Sequence, residues 1–176
     1  PLFRTALAAR ELLARPLPLR IVAGPFLPEP QWLALQTQAA GVPGVALVRH
    51  VPDMVAEMRR ARASLSQCGY NTALDLVVAG VPALVVPYET VTENEQRGRA
   101  EKIGLEGEQL AGLGAMLCLP AGDLQPQPLA HAIERLLAFT PLPAALALDG
   151  AQRSADWLAE RLQARHTAPE AACATN

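Results

Sequence analysis

Ser66-Gln67-Cys68-Gly69-Tyr70-Asn71-Thr72-Ala73-Leu74-Asp75, followed at once by an apolar run and Gly80-Val81-Pro82-Ala83-Leu84-Val85-Val86-Pro87, is the stretch whose residue types and spacing suggest chemistry. It reads as a strand end, a glycine turn, a short helix opened by Asn71 and Thr72, and a second buried strand. A helix N-terminus carries unpaired N–H groups and a partial positive charge, and both suit a phosphate. One turn further in, Asp75 offers a carboxylate to a ribose hydroxyl. The expectation is a nucleotide site.

The elements that must position this site follow from the apolar pattern. Helical spacing over Thr5 to Arg15 is stopped by Pro16 and Pro18, and Leu19 to Ala23 then reads as a short strand closed by Gly24-Pro25. Pro30 to Ala40 reads as a helix with Gly41 as its C-cap, and Val45 to Val48 as the next strand. Asp53 is a good N-cap for a helix over Met54 to Arg60. Strands at Ala63 to Ser66 and Ala83 to Val86 flank the motif helix, Thr72 to Ala79. A polar helix over Glu93 to Ile103, a strand at Ala115 to Leu119, a helix from Pro128 to Ala138 and a final helix from Ala151 to Arg165 complete the order.

Five short strands separated by helices predict an α/β fold with a doubly wound, Rossmann-like parallel sheet, because parallel strands need crossovers and bury both faces. Ligands of such sheets gather at the carboxyl ends of the strands. Four turns fall there: Gly24 to Pro28, His50 to Met54, Gln67 to Thr72, and Tyr88 to Gln96.

Composition allows this reading and removes others. The chain has 176 residues, 51% of them hydrophobic and 18% charged, which suits a packed domain and not a disordered segment. A net charge of −2 gives no reason to expect nucleic acid as a partner. Cys68, Cys118 and Cys173 have no CxxC spacing, so a disulfide framework or zinc knuckle is unsupported, and reduced thiols in a cytoplasmic setting are expected. No G-x-S-x-G elbow, Walker lysine or His-Glu-x-x-His occurs, which leaves hydrolase, ATPase and metalloprotease readings without support. The chain opens on Pro1 rather than methionine, which reads as an excerpt of something longer.

Gln67-Cys68-Gly69-Tyr70-Asn71-Thr72 with Asp75, then Gly80-Val81-Pro82, Pro87 and Glu95-Gln96, resembles the donor-sugar signature of GT-B glycosyltransferases. The chain is similar to the C-terminal, donor-binding domain of the bacterial transferases that add N-acetylglucosamine to a lipid-linked peptidoglycan precursor. The resemblance runs from about Leu19 to about Arg165. It implies that Gly69, Tyr70, Asn71 and Thr72 hold the diphosphate of a UDP-sugar, and that Asp75, one methylene shorter than the family glutamate, takes the ribose hydroxyls. It also implies that the backbone of Val51 recognises the uracil edge and that Glu95 and Gln96 bond the donor-sugar hydroxyls. Gln67 stands where the family often has a phosphate-contacting histidine, and Ile103 to Gly114 is longer than the usual link, read as an extended helix, a surface loop or a remodelled acceptor side.

By the same resemblance UDP-sugar is a substrate, no cofactor or metal is required, and the acceptor is lipid-linked or a small molecule. The general base lies outside this chain, in an N-terminal acceptor domain, so the isolated chain is expected to bind without turnover. The protein is expected to be cytoplasmic, or peripheral at the inner face of a membrane. The expected division is 1–18 as a partial helix and linker from the preceding domain, 19–165 as the donor-binding domain, and 166–176 as a tail. Two other readings stay open: a free-standing donor subunit needing a separate acceptor subunit, and a non-catalytic nucleotide-binding regulatory module. Blander roles compete locally. Asn71 and Thr72 suit plain helix caps, Cys68 a small core residue, and Arg59, Arg60 and Arg62 a solvated face rather than an anion site.

Overall fold

The computed structural model describes residues 1–88, 95–97, 104–106, 114–143 and 149–167. The chain divides into a unit spanning Pro1–Ala144 and a second spanning Ala145–Asn176. In the first, the element order is α1 (Leu2–Glu11), β1 (Leu19–Val22), α2 (Glu29–Ala39), β2 (Val45–Val48), α3 (Met54–Arg60), β3 (Ser64–Ser66), α4 (Tyr70–Ala79), β4 (Ala83–Val85), β5 (Gly104–Glu106), β6 (Met116–Cys118) and α5 (Pro126–Ala138). The second contributes α6 (Gly150–Thr167). On α6 the apolar side chains Trp157, Leu158 and Leu162 are exposed, and the Arg161 guanidinium sits 4.9 Å over the Trp157 ring.

Every strand pair is parallel. β1 pairs with β2, and β3, β4, β6 and β5 follow one another in that order in a four-stranded sheet. All five expected strands are present. The sixth, β5, lies in the long link where a helix or loop was expected: Gly104, Leu105 and Glu106 align with Met116, Leu117 and Cys118.

Strand alternation explains how both faces are covered. Leu84 and Val86 of the β4 run, with Leu117 and Leu119 of the β6 run, meet Ala6 and Ala9 of α1 and Leu129, Ala130 and Leu136 of α5. Ala83, Val85 and Met116 point the other way and meet Met58 of α3 with Ala73 and Leu76 of α4. Successive residues of a strand serve opposite faces, so these short apolar runs sit between two helical layers. α1, which Pro16 and Pro18 set apart in the sequence, is thus packed into the first of these cores. Arg10 at its end is only 7% exposed. It donates to the carbonyl oxygens of Leu17 and Pro43, each at 2.6 Å, and pairs with Glu11 at 2.8 Å.

Several helix limits differ from the expected ones. α1 starts earlier and ends four residues before Arg15, and α5 starts at Pro126 rather than Pro128, with its missing N–H at a position that needs none. α6 runs two residues past Arg165, and residues 168–176 of the expected tail lie outside the described residues. Of the expected helix Glu93 to Ile103, only 95–97 fall within them, and they are helical. Asp53 does cap α3, its carboxylate accepting the Ala56 N–H at 2.9 Å. Asp53→Ala is expected to lower stability by about 1 kcal/mol, the usual worth of such a cap, read as a shift in the urea midpoint at constant slope.

Candidate functional site

α4 carries the centre of the site, and its start differs from the expected one in a way that matters. The helix begins at Tyr70, two residues earlier, and its N-cap is Gly69, with no side chain capping the terminus. Asn71 and Thr72 therefore sit inside the first turn and are not caps. The Ala73 N–H closes the first helical bond to the Gly69 carbonyl at 2.9 Å, so the N–H groups of Tyr70, Asn71 and Thr72 lie ahead of the helical ladder. No acidic residue occupies this first turn. The N-terminus of a ten-residue helix, with no side-chain cap and no acidic residue in its first turn, is a ready place for an anion.

Gly69 itself has φ −60° and ψ 154°, a conformation open to any residue. Among the described residues, a Cβ added there would meet only Thr72 Oγ1, at 3.9 Å. Neither backbone nor packing demands glycine at this position, whereas close approach of a ligand to the main chain would. At the other end of α4, Gly80 is in the left-handed region at φ 64°, the common way to stop a helix.

The neighbouring turns lie on the same side. Arg59, near the end of α3, donates to the Val78 carbonyl near the end of α4 at 2.9 Å, and Met58 packs with Ala73 and Leu76. α3 and α4 thus lie side by side with their C-termini together, which brings the β2 exit next to the β3 exit. Val51 in the first of these turns is buried, and His50 and Met54 beside it are exposed. Arg59 is consequently occupied at a helix end, and Arg60 reaches Glu57 at 3.8 Å. All three of Arg59, Arg60 and Arg62 are exposed, as a solvated face would be.

Among the polar residues, Gln67 and Asn71 are exposed, and Thr72 and Asp75 are half-buried. None of these four side chains is hydrogen-bonded or ion-paired to another described residue. They form a rim of donors and acceptors available to a ligand. Cys68 is fully buried, as a small core residue should be.

Glu95 and Gln96 are brought to the same place, with Glu95 exposed. Gln96 Oε1 accepts the backbone N–H of Cys68 at 3.2 Å and that of Tyr88 at 3.1 Å. The helical turn 95–97 therefore sits directly against the motif. Other features escaped sequence reasoning: the Tyr88 N–H, which is main chain and has no residue-type signal, and the Ser66 hydroxyl, buried at the end of β3 with no partner among the described residues. Phe26, in the β1 exit turn, is 95% exposed, and its place between Pro25 and Leu27 gave no hint of that. Among the described residues no cluster of three or more His, Cys, Asp or Glu side chains is placed to hold a metal ion, and no helix is long and apolar enough to cross a membrane.

The parallel sheet layered by helices, with its site at the strand exits, is the fold of the C-terminal half of GT-B glycosyltransferases. It is shared with the calicheamicin glycosyltransferase CalG4 (TM-score 0.55, 24% identity, 77% of this chain and 31% of that one) and with MurG of Acinetobacter baumannii (TM-score 0.58, 22% identity, 77% and 37%). The profile of the glycosyltransferase family 28 C-terminal domain matches residues 28–162, and the chain belongs to that family.

Curated relatives include UDP-N-acetylglucosamine–N-acetylmuramyl-(pentapeptide) pyrophosphoryl-undecaprenol N-acetylglucosamine transferases. That of Nitrosococcus oceani is 36% identical over 99 residues, covering 56% of this chain and 25% of the relative. That of Alkalilimnicola ehrlichii is 31% identical over 102 residues, covering 58% and 26%. The matches thus span about a quarter of the length of these relatives.

Proposed function

We propose that this chain is the donor-binding domain of a glycosyltransferase that moves a hexose, N-acetylglucosamine or one like it, from a UDP-sugar to an acceptor hydroxyl. The observation that carries this is the α4 terminus, which begins at a glycine that its described surroundings do not require and has neither a side-chain cap nor an acidic residue in its first turn. There the Tyr70, Asn71 and Thr72 N–H groups and the Thr72 hydroxyl would bind the diphosphate. The positive helix end would stabilise it as the leaving group, without a metal or a lysine. Asp75 would accept the ribose hydroxyls, the Val51 backbone would meet the uracil, and Glu95 and Gln96 would face the sugar. Gln67 would add a neutral hydrogen bond. The names of the relatives, which include a UDP-sugar and an undecaprenol-linked acceptor, support the substrate class. The acceptor, lipid-linked or small, and the base that activates it would belong to sequence outside this chain. The reaction would run on the cytoplasmic side, peripheral to a membrane where the acceptor is lipid-linked.

Calorimetry with UDP tests this. The wild-type chain is expected to bind UDP below millimolar concentration, and Asp75→Ala to weaken binding about tenfold, the worth of a charged hydrogen-bond acceptor. Absence of UDP binding, or equal binding by Asp75→Ala, overturns the reading.

A further inference from the structure

We infer that Gln96 is a positioning residue that staples the β3 and β4 exit turns together, and so acts on the diphosphate end of the site as well as on the sugar end. The inference rests on the nucleotide-diphosphate reading of the α4 turn. The last ladder bond joining β3 to β4 runs from the Val86 N–H to the Ser66 carbonyl, at 2.8 Å. The next N–H groups that face the gap between these strands, one from each side, are those of Cys68 and Tyr88, where the chains part into their turns. Both donate to one atom, Gln96 Oε1, at 3.2 and 3.1 Å. A backbone N–H only donates, so the orientation of this amide is fixed by its partners: turned over, its NH2 would face two donors.

Gln96 thus takes the place of the next carbonyl at the end of the ladder. Cys68 is fully buried, so loss of that oxygen would take an acceptor from a main-chain donor sealed off from water, a costly change. Cys68 also directly precedes Gly69, the N-cap of α4, and whatever holds Cys68 sets where the helix terminus points. The Gln96 amide nitrogen has no partner among the described residues, and its two N–H groups remain for a ligand.

UDP itself separates the two roles, because it has no sugar for Gln96 to touch. Gln96→Met keeps the length and loses the oxygen, while Gln96→Glu keeps an acceptor oxygen and loses the NH2. In amide hydrogen exchange on this chain, Q96M is expected to speed exchange at Cys68 and Tyr88 about tenfold or more, and Q96E to keep both slow. In calorimetry Q96M is expected to weaken UDP binding about tenfold, as the loss of one to two hydrogen bonds implies. UDP affinity within twofold of wild type for Q96M, or unchanged exchange at Cys68, overturns the staple. Should Q96M not fold, Q96E decides: slow exchange at both amides supports the staple and fast exchange overturns it. If the wild-type chain fails to bind UDP, the nucleotide reading falls by itself, and the exchange comparison still decides the staple.

Discussion

Gly69→Ala is expected to weaken UDP binding about a hundredfold while moving the melting temperature by no more than about 3 °C. The two halves of this expectation come from different facts. At φ −60° and ψ 154°, with Thr72 Oγ1 the one described atom within 4 Å of the added Cβ, alanine fits the backbone without strain. A poorer N-cap costs roughly 0.5–1 kcal/mol, and the reduced freedom of the unfolded chain returns about as much. The ligand, by contrast, would meet a methyl group ahead of the N–H groups of Tyr70, Asn71 and Thr72. Pushing an anion off such donors forfeits about 3 kcal/mol, which is the hundredfold. Calorimetry and a thermal melt on the same sample check both halves. Wild-type affinity in this variant shows that no ligand comes close to the turn.

Arg10→Ala is expected to lower the stability of the chain by about 3 kcal/mol without touching UDP affinity in the fraction that stays folded. Arg10 is 7% exposed and spends its guanidinium on the carbonyls of Leu17 and Pro43 and on Glu11. Alanine would remove two part-buried hydrogen bonds from a charged donor, each worth about 1.5–3 kcal/mol, and would empty the space beside Gly44, whose Cβ position lies 3.2 Å from Arg10 Nη2. The ion pair with the exposed Glu11 adds little. Arg10→Lys is expected to recover only part of the loss, because a single ammonium lacks the guanidinium fork that reaches two carbonyls. Urea denaturation reads both variants; equal midpoints for wild type and Arg10→Ala would show that water already satisfies these carbonyls.

Much of this was legible in the chain. β-runs bounded by Gly and Pro marked five strands, and the Gly69 turn with Asp75, Gly80-Val81-Pro82 and Glu95-Gln96 marked the likeness to GT-B donor domains. What stayed hidden has physical reasons. Asn71 and Thr72 look like caps, yet the glycine before them took the cap position, a choice made by where the chain enters the helix. Gly104-Leu105-Glu106 has neither the branched residues nor the alternation of a strand, and becomes one only because β6 offers it a parallel edge. Arg10 reads as one more surface arginine until Pro43, far along the chain, is folded against it. Gln96 and its two N–H partners are likewise a side chain meeting main chain, a kind of bond that residue types do not encode.

The split of the strands into β1–β2 and β3–β4–β6–β5 has its own effect on handling. β1 pairs only with β2, and β3 only with β4, among the described residues. Each therefore keeps one flank of main-chain donors and acceptors outside any ladder, and such flanks recruit strands from other molecules. Wherever solvent reaches such a flank a second strand can add to it, so affinities of the purified chain are to be measured in dilute solution.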